Sequence, residues 1–195
     1  MAKQKLLLVD GSSLAFRAFF SILDLNRFKN SNGLHTNALY SFHRMFKSIL
    51  DSEKPTHVLV AWDAGKTTFR TEMYADYKGG RSKTPGEFIE QMPYFNVLLD
   101  AWGIPHYRLN QYEADDIIGT LARKGEEAGY EVVVLSGDKD LIQLADNNIT
   151  VKITTKGVTE LVEYTPEVIF EKYGLTPEQI IDMKGLMGDS SDNYP

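Results

Sequence analysis

Short apolar runs alternate with longer stretches of helical periodicity along most of the chain. Leu6 to Val9, His57 to Trp62 and Glu131 to Leu135 are nearly continuous apolar segments of strand length, the pattern of strands buried on both faces of a sheet. Asn37 to Leu50 places Leu39, Phe42, Met45, Phe46, Ile49 and Leu50 near a helical repeat. Leu14 to Phe20 reads as a helix capped by Ser12 or Ser13, and Ala114 to Ala128 as one stopped by Gly129. Glu87 to Trp102 returns to helical periodicity, Ile104 to Tyr107 is a short strand, and Lys139 to Ala145 is a short helix. Ile149 to Thr154 and Val158 to Val162, split by Lys156-Gly157, form a hairpin. Helices over Pro166 to Tyr173 and Pro177 to Met187 follow. Residues 24–36 read as a loop. The alternation predicts an α/β fold, a mostly parallel central sheet with helices on both faces.

Residues 64–86 break the pattern. They are polar, aromatic and basic, with Gly79-Gly80 in the middle and Pro85-Gly86 at the end. A connection this long inside a compact domain is usually functional or disordered.

The 195 residues are enough for one domain with a real core, and 43% hydrophobic content excludes a disordered chain. The absence of cysteine removes disulfides, thiolate zinc sites and cysteine nucleophiles, and fits a reducing cytoplasm. No apolar run approaches a membrane span of about 20 residues. Behind Met1 to Lys5 stands only the strand-length run Leu6 to Val9, too short for a signal peptide.

Acidic residues carry the candidate chemistry. Asp10 and Asp63 each close an apolar strand, and Asp138 and Asp140 follow the strand that ends in Leu135. Ligands bind beyond the carboxyl ends of parallel strands. Glu113, Asp115 and Asp116 open a helix, where Glu113 and Asp116 share a face at i, i+3 and Asp115 points elsewhere unless the turn is irregular. Asp189 and Asp192 lie in Gly188-Asp189-Ser190-Ser191-Asp192-Asn193. Each group has an ordinary explanation as a cap, a turn or a complement to the helix dipole. Their joint presence is harder to explain that way. Bare carboxylates oppose one another's ionisation, and divalent cations relieve the conflict, with all-oxygen donors selecting Mg²⁺ or Mn²⁺. That points to metal-assisted phosphoryl chemistry.

A net charge of −6 argues against a nucleic-acid partner unless many of the 27 acids face metal ions. The bases are unevenly placed: Lys66, Arg70, Lys78, Arg81 and Lys83 fall within 18 residues, interleaved with Phe69, Tyr74 and Tyr77. Cations for phosphates and rings for unpaired bases together suit a single strand. Arg17 offers one more phosphate contact or an exposed helix charge. His35, His43, His57 and His106 show no ligand spacing, no serine has a His–Asp pattern, and there is no phosphate-loop or dinucleotide glycine motif.

Leu8-Val9-Asp10-Gly11-Ser12-Ser13 with Phe16-Arg17-Ala18, Thr36-Asn37-Ala38, Asp63, Tyr77-Lys78-Gly79-Gly80-Arg81, Glu113-Ala114-Asp115-Asp116, Ser136-Gly137-Asp138-Lys139-Asp140 and Gly188 to Asn193 occur in that order. In these motifs the chain, from Lys5 to Pro195, resembles the bacterial 5′–3′ exonuclease family, flap-endonuclease-like domains of the kind found in DNA polymerase I. The resemblance implies a PIN-like fold and cleavage of branched DNA at a 5′ flap, nick or free 5′ end, with two Mg²⁺ or Mn²⁺ ions. Asp10, Asp63, Glu113 and Asp115 resemble ligands of the first ion, and Asp138, Asp140, Asp189 and Asp192 those of the second. Asp115 or Asp138 is placed to bridge, and Asp116 belongs to the same cluster. Residues 66–86 resemble a helical arch over the 5′ strand, with Lys78 and Arg81 facing the scissile phosphate and Tyr77 stacking a base. Arg17 and Arg70 join the DNA-binding set.

The resemblance also implies a cytoplasmic monomer working with a polymerase in cis or as a separate chain. In the family the Gly188 to Asn193 motif leads into a helix-hairpin-helix segment, absent here, so 1–195 reads as a truncated catalytic domain. Three alternatives remain: a PIN-type ribonuclease, a DNA-binding fragment made inactive by truncation, and a small-substrate phosphatase. The last is disfavoured because Ser12 stands where it needs a second acid.

Overall fold

The computed structural model describes residues 4–65, 67–80, 82–155 and 160–194. Six strands form one sheet: β1 (Lys5–Asp10), β2 (His57–Trp62), β3 (His106–Arg108), β4 (Glu131–Ser136), β5 (Ile149–Thr154) and β6 (Leu161–Tyr164). Their order is β3-β2-β1-β4-β5-β6. All pairings are parallel except that of β5 with β6. The chain moves from β1 to β2 on one side and later to β4 on the other, so the order switches direction between β1 and β4. A crevice opens at such a point beyond the strand ends.

Eight α-helices accompany the sheet among the described residues: α1 (Gly11–Phe20), α2 (Asn37–Glu53), α3 (Phe69–Met73), α4 (Gly86–Ile89), α5 (Met92–Ala101), α6 (Ala114–Glu127), α7 (Pro166–Tyr173) and α8 (Pro177–Met187). Side chains alternate between faces along each strand. Leu7, Val9, Val60, Trp62, Val133 and Leu135 therefore pack with α1, α2 and α5, around the fully buried Phe42, Phe46 and Phe95. Leu8, Ala61, Val132, Val134 and Val151 face the other way, onto Ile117 and Ile118 of α6, Ile169 of α7 and Ile180 of α8. Each large apolar side chain buried this way contributes roughly 1.5–3 kcal/mol. Two-sided burial is the reason the central strands read as unbroken apolar runs.

The differences from the sequence reading have local causes. The cap of α1 is Asp10, not Ser12 or Ser13: its carboxylate accepts the Ser13 N–H, and the helix starts directly at the strand end. The single helix expected over Glu87 to Trp102 is two, α4 and α5. Pro93 cannot donate a helical hydrogen bond back across the join. Gln91 sits fully buried at the break, accepting the Ala38 and Leu39 N–H groups and donating to Asn37 and Glu87. The helix expected over Lys139 to Ala145 is a 3₁₀ turn, Lys139–Leu144. Strand β3 starts two residues later than expected, at His106, and β6 starts at Leu161. The expected hairpin turn Lys156-Gly157 and the residue Val158 lie outside the described residues. In the segment expected as a helical arch, the described residues form a strap whose helical parts are α3 and the first residue of α4.

Candidate active site

Strand register gathers the acids. Asp10 lies level with Ala61 of β2, and Val9 lies level with Leu135 of β4. Asp63 and Asp138 therefore emerge just past the same sheet edge, on either side of Asp10. Asp10 is 5% exposed and held by two donors: Ser13 N–H to Oδ1 at 2.9 Å and Ser136 O–H to Oδ2 at 2.7 Å. Asp63 accepts the Ala114 N–H at 2.8 Å, and its own N–H donates to Ser12 Oγ at 3.0 Å. Asp138 caps the 3₁₀ turn by accepting the Asp140 N–H at 2.9 Å.

The start of α6 supplies the facing wall. Glu113 is the N-cap residue with extended backbone, so it is not on the helical repeat. Asp115, expected to point elsewhere, faces Asp10, Asp138 and Asp63 closely enough to feel their charge. Asp116 turns back instead, accepting the Glu113 N–H at 3.0 Å and a two-pronged pair from Arg70, both bonds 2.8 Å.

Burial, with opposition from Asp63 and Asp138, pushes Asp10 up to about 6. Burial and the charges of Asp10, Asp138 and Asp63 push Asp115 well above the usual carboxylate range, with Lys78 opposing. Asp116 stays below that range, since the Arg70 pair outweighs the upward push of burial. A carboxyl raised in the folded state favours folding while protonated and loses that contribution as pH rises through its folded value. Chelator-treated protein is therefore expected to lose melting temperature as pH rises from about 4 to above 6, and Asp10→Asn to flatten that fall. Thermal melts of both proteins across that range check it.

The strap closes over this wall. Tyr77 O–H donates to Glu113 Oε2 at 3.2 Å and to Asp192 Oδ2 at 3.1 Å, and Lys78 Nζ lies 2.8 Å from Glu113 Oε2. Burial and those two carboxylates push the Tyr77 phenol upward, so it remains a donor. The backbone of Lys78 is left-handed at φ 57°, and its N–H donates to the Asp192 carbonyl. Strain of this kind persists only where the surroundings hold it. On the far side, Lys184 of α8 spans Asp140 at 2.7 Å and Asp189 at 3.1 Å. Ser191 and Lys184 hold the Asp189 carboxyl far below the usual range, whereas burial raises Asp140 against the pull of Lys184. Between these walls lies a cleft of about 600 Å³ lined by acids from Glu113 to Asp192. Asp10 and Asp63 do not line it.

The structure thus brings Asp10, Asp63, Asp115 and Asp138 within mutual electrostatic reach, with Glu113 beside the strap and Asp140, Asp189 and Asp192 around the cleft. All donors are carboxylate oxygens, and their crowding is the kind a hard divalent cation relieves. Among the described residues, no three acidic or histidine side chains already converge as a ligand set. Arg70, expected on DNA, is engaged by Asp116, and Arg17 donates to the Thr155 carbonyl at 2.9 Å. Tyr77, expected to stack a base, has its hydroxyl committed to carboxylates. Arg81 and Lys66 lie outside the described residues. The sequence reading named Ser136 only within its motif, without its bond to Asp10, and missed Lys184. A serine closing the apolar run Val132 to Leu135 and a lysine five residues before Asp189 were the available signals.

The family model described as "5′-3′ exonuclease, N-terminal resolvase-like domain" matches residues 5–174. The DNA polymerase I of Streptococcus pneumoniae (strain ATCC BAA-255 / R6) is 61% identical over 196 residues, covering 100% of this chain and 22% of that protein. The chain thus spans about a fifth of that relative's length. A solved structure of the T5 5′-exonuclease with divalent zinc ions superposes with TM-score 0.71 at 26% identity, covering 97% of this chain and 69% of the other. The bacteriophage T5 flap endonuclease, in a pseudo-enzyme-product complex with DNA and metal ions, gives TM-score 0.69 at 26% identity, covering 97% and 68%. No helix among the described residues is long and apolar enough to cross a membrane.

Proposed function

The chain belongs to the 5′-3′ exonuclease N-terminal domain family, and from that membership we propose that it hydrolyses DNA phosphodiester bonds at a 5′ flap, nick or free 5′ end with two Mg²⁺ or Mn²⁺ ions. The observation that carries this reading is the crowding of Asp10, Asp63, Asp115 and Asp138 beyond the carboxyl edge of the sheet, where Asp10 and Asp115 are pushed up in part by one another's neighbours. Asp10, Asp63, Glu113 and Asp115 would hold one ion and Asp138, Asp140, Asp189 and Asp192 the other, with Asp116 fixing the start of α6. When bound, such ions supply an activated water and offset charge on the departing oxygen.

The chain's own groups do the positioning. The Ser13 and Ala114 N–H groups fix Asp10 and Asp63. Lys78 would reach a phosphate by moving its ammonium off Glu113, 2.8 Å away. Tyr77 would stack a base only by giving up its bonds to Glu113 and Asp192. Arg81, next in the same motif, is proposed to share the phosphate. Arg17 and Arg70 would reach DNA only by leaving Thr155 and Asp116. The polymerase partner is proposed in cis, as in the DNA polymerase I relatives, or as a separate chain.

Cutting of 5′-labelled flap DNA by the 195-residue chain, present with Mg²⁺ or Mn²⁺ and abolished by chelator, tests the reading. Cutting of RNA but not DNA would replace it with a ribonuclease. Lys78→Met is expected to slow single-turnover cleavage by roughly a hundredfold or more, the usual loss when a group that offsets developing charge is removed. Methionine keeps the length of the side chain and removes the ammonium, which lies 5.0 Å from the centre of the Tyr77 ring. An unchanged rate would remove Lys78 from the chemistry.

A further inference from the structure

Among the buried polar groups, Ser136 is used in an unusual way. It ends the apolar strand β4 and is 1% exposed. Its hydroxyl donates to Asp10 Oδ2 at 2.7 Å and accepts the Asp138 N–H at 3.0 Å. One oxygen atom therefore joins the carboxylate on β1 to the backbone that aims the carboxylate after β4. A second tie runs in parallel, from Gly137 N–H to Ser13 Oγ at 2.9 Å, in the helix turn that Asp10 caps.

We propose that Ser136 is a positioning residue that fixes Asp10 and the Asp138 turn relative to each other, and so sets how tightly this site holds divalent cations. The hydroxyl has one proton and gives it to Asp10, leaving a lone pair for Asp138. Alanine supplies neither. Without the bond, the buried Asp10 carboxylate keeps one backbone donor and is free to turn about it, and the Asp138 N–H loses its acceptor. A group that orients ligands without touching the ion typically changes metal affinity by about 10–100-fold. The proposal rests on the nuclease reading for its purpose, but its first test is metal binding rather than cleavage.

Mn²⁺ binding to the full chain is measured by calorimetry for the wild type, Ser136→Ala, Ser136→Val and Ser136→Thr, beside melting in chelator and the Mn²⁺ dependence of flap cutting. Valine and threonine share a shape, so the pair isolates the hydroxyl. Ala and Val are expected to weaken Mn²⁺ binding about 10–100-fold, and Thr to stay within about threefold of wild type. The Mn²⁺ concentration for half-maximal cutting should rise by the same factor in Ala, while the rate at saturating Mn²⁺ changes much less. Wild-type affinity in Ala and Val would overturn the proposal, even with a lowered melting temperature, because Ser136 would then serve the fold alone. A wild-type chain that binds no Mn²⁺ would overturn it too. If Mn²⁺ binds in the hydroxyl-dependent pattern and no DNA is cut, the positioning role stands and the nuclease reading falls.

Discussion

Asp138→Asn is expected to lower flap cleavage by at least about a thousandfold while leaving the chain folded. The size follows from the chemistry: charge neutralisation at a metal-assisted phosphoryl centre supplies several kcal/mol, and about 4 kcal/mol is a factor of a thousand. The fold should survive because the structural task of Asp138 is to accept the Asp140 N–H at the head of a 3₁₀ turn. Asparagine accepts the same bond and caps as well as aspartate. The charge is what differs. Asp138 is one of the anions that oppose ionisation of Asp10 and Asp115. Removing it should therefore raise the melting temperature of chelator-treated protein at neutral pH while cleavage disappears. A gain in stability with a loss of activity is the signature of a functional carboxylate and excludes a merely structural one. Full activity in Asp138→Asn would remove Asp138 from the site.

The parts of this site that were legible in the sequence are those fixed by short-range rules. β1, β2 and β4 are covered on both faces, so they appear as apolar runs, and the acids that close or follow those runs lie along one edge of the sheet. Asp10, Asp63 and Asp138 could be read for that reason. The start of α6 is the irregular case that helical spacing does not describe. Glu113 is an extended cap, so its relation to Asp116 is not the i, i+3 relation of a helix face, and Asp115 is the residue that turns toward Asp10. The strap was illegible in another way. Arg70 meets Asp116 across 46 residues and Tyr77 meets Asp192 across 115. No local pattern reports such partners, so residues that looked like free phosphate and base contacts are, in the folded chain, ion-paired or hydrogen-bonded to acids. The break between α4 and α5 was signalled by Pro93, but the use of Gln91 to hold α2 could not be.

Gly11→Ala is expected to destabilise the chain by about 3 kcal/mol, lowering its melting temperature by roughly 6–12 °C, and Gly11→Val by more. The backbone at Gly11 is ordinary helix, so conformational freedom is not the issue. Space is: a β-carbon there would lie 2.6 Å from Val60 Cγ1, 3.0 Å from the Ala61 carbonyl oxygen and 3.0 Å from Trp62 Cδ2. The Ala61 oxygen belongs to the backbone of β2, which is locked in register with β1 through Asp10. It cannot move without breaking the sheet, so α1 must withdraw instead. That movement pulls Ser12 Oγ off the Asp63 N–H, so cleavage should fall together with stability. Gly137 provides the contrast. A β-carbon there would meet Ser13 Oγ at 2.5 Å and Thr154 Oγ1 at 3.3 Å, both side-chain ends that can rotate aside, at the loss of the one bond from the Gly137 N–H to Ser13 Oγ. Gly137→Ala is therefore expected to cost less than about half as much. Equal losses in the two variants would mean that α1 yields as easily as a hydroxyl, and that the close approach of α1 to β2 is not what holds Ser12 on the Asp63 N–H.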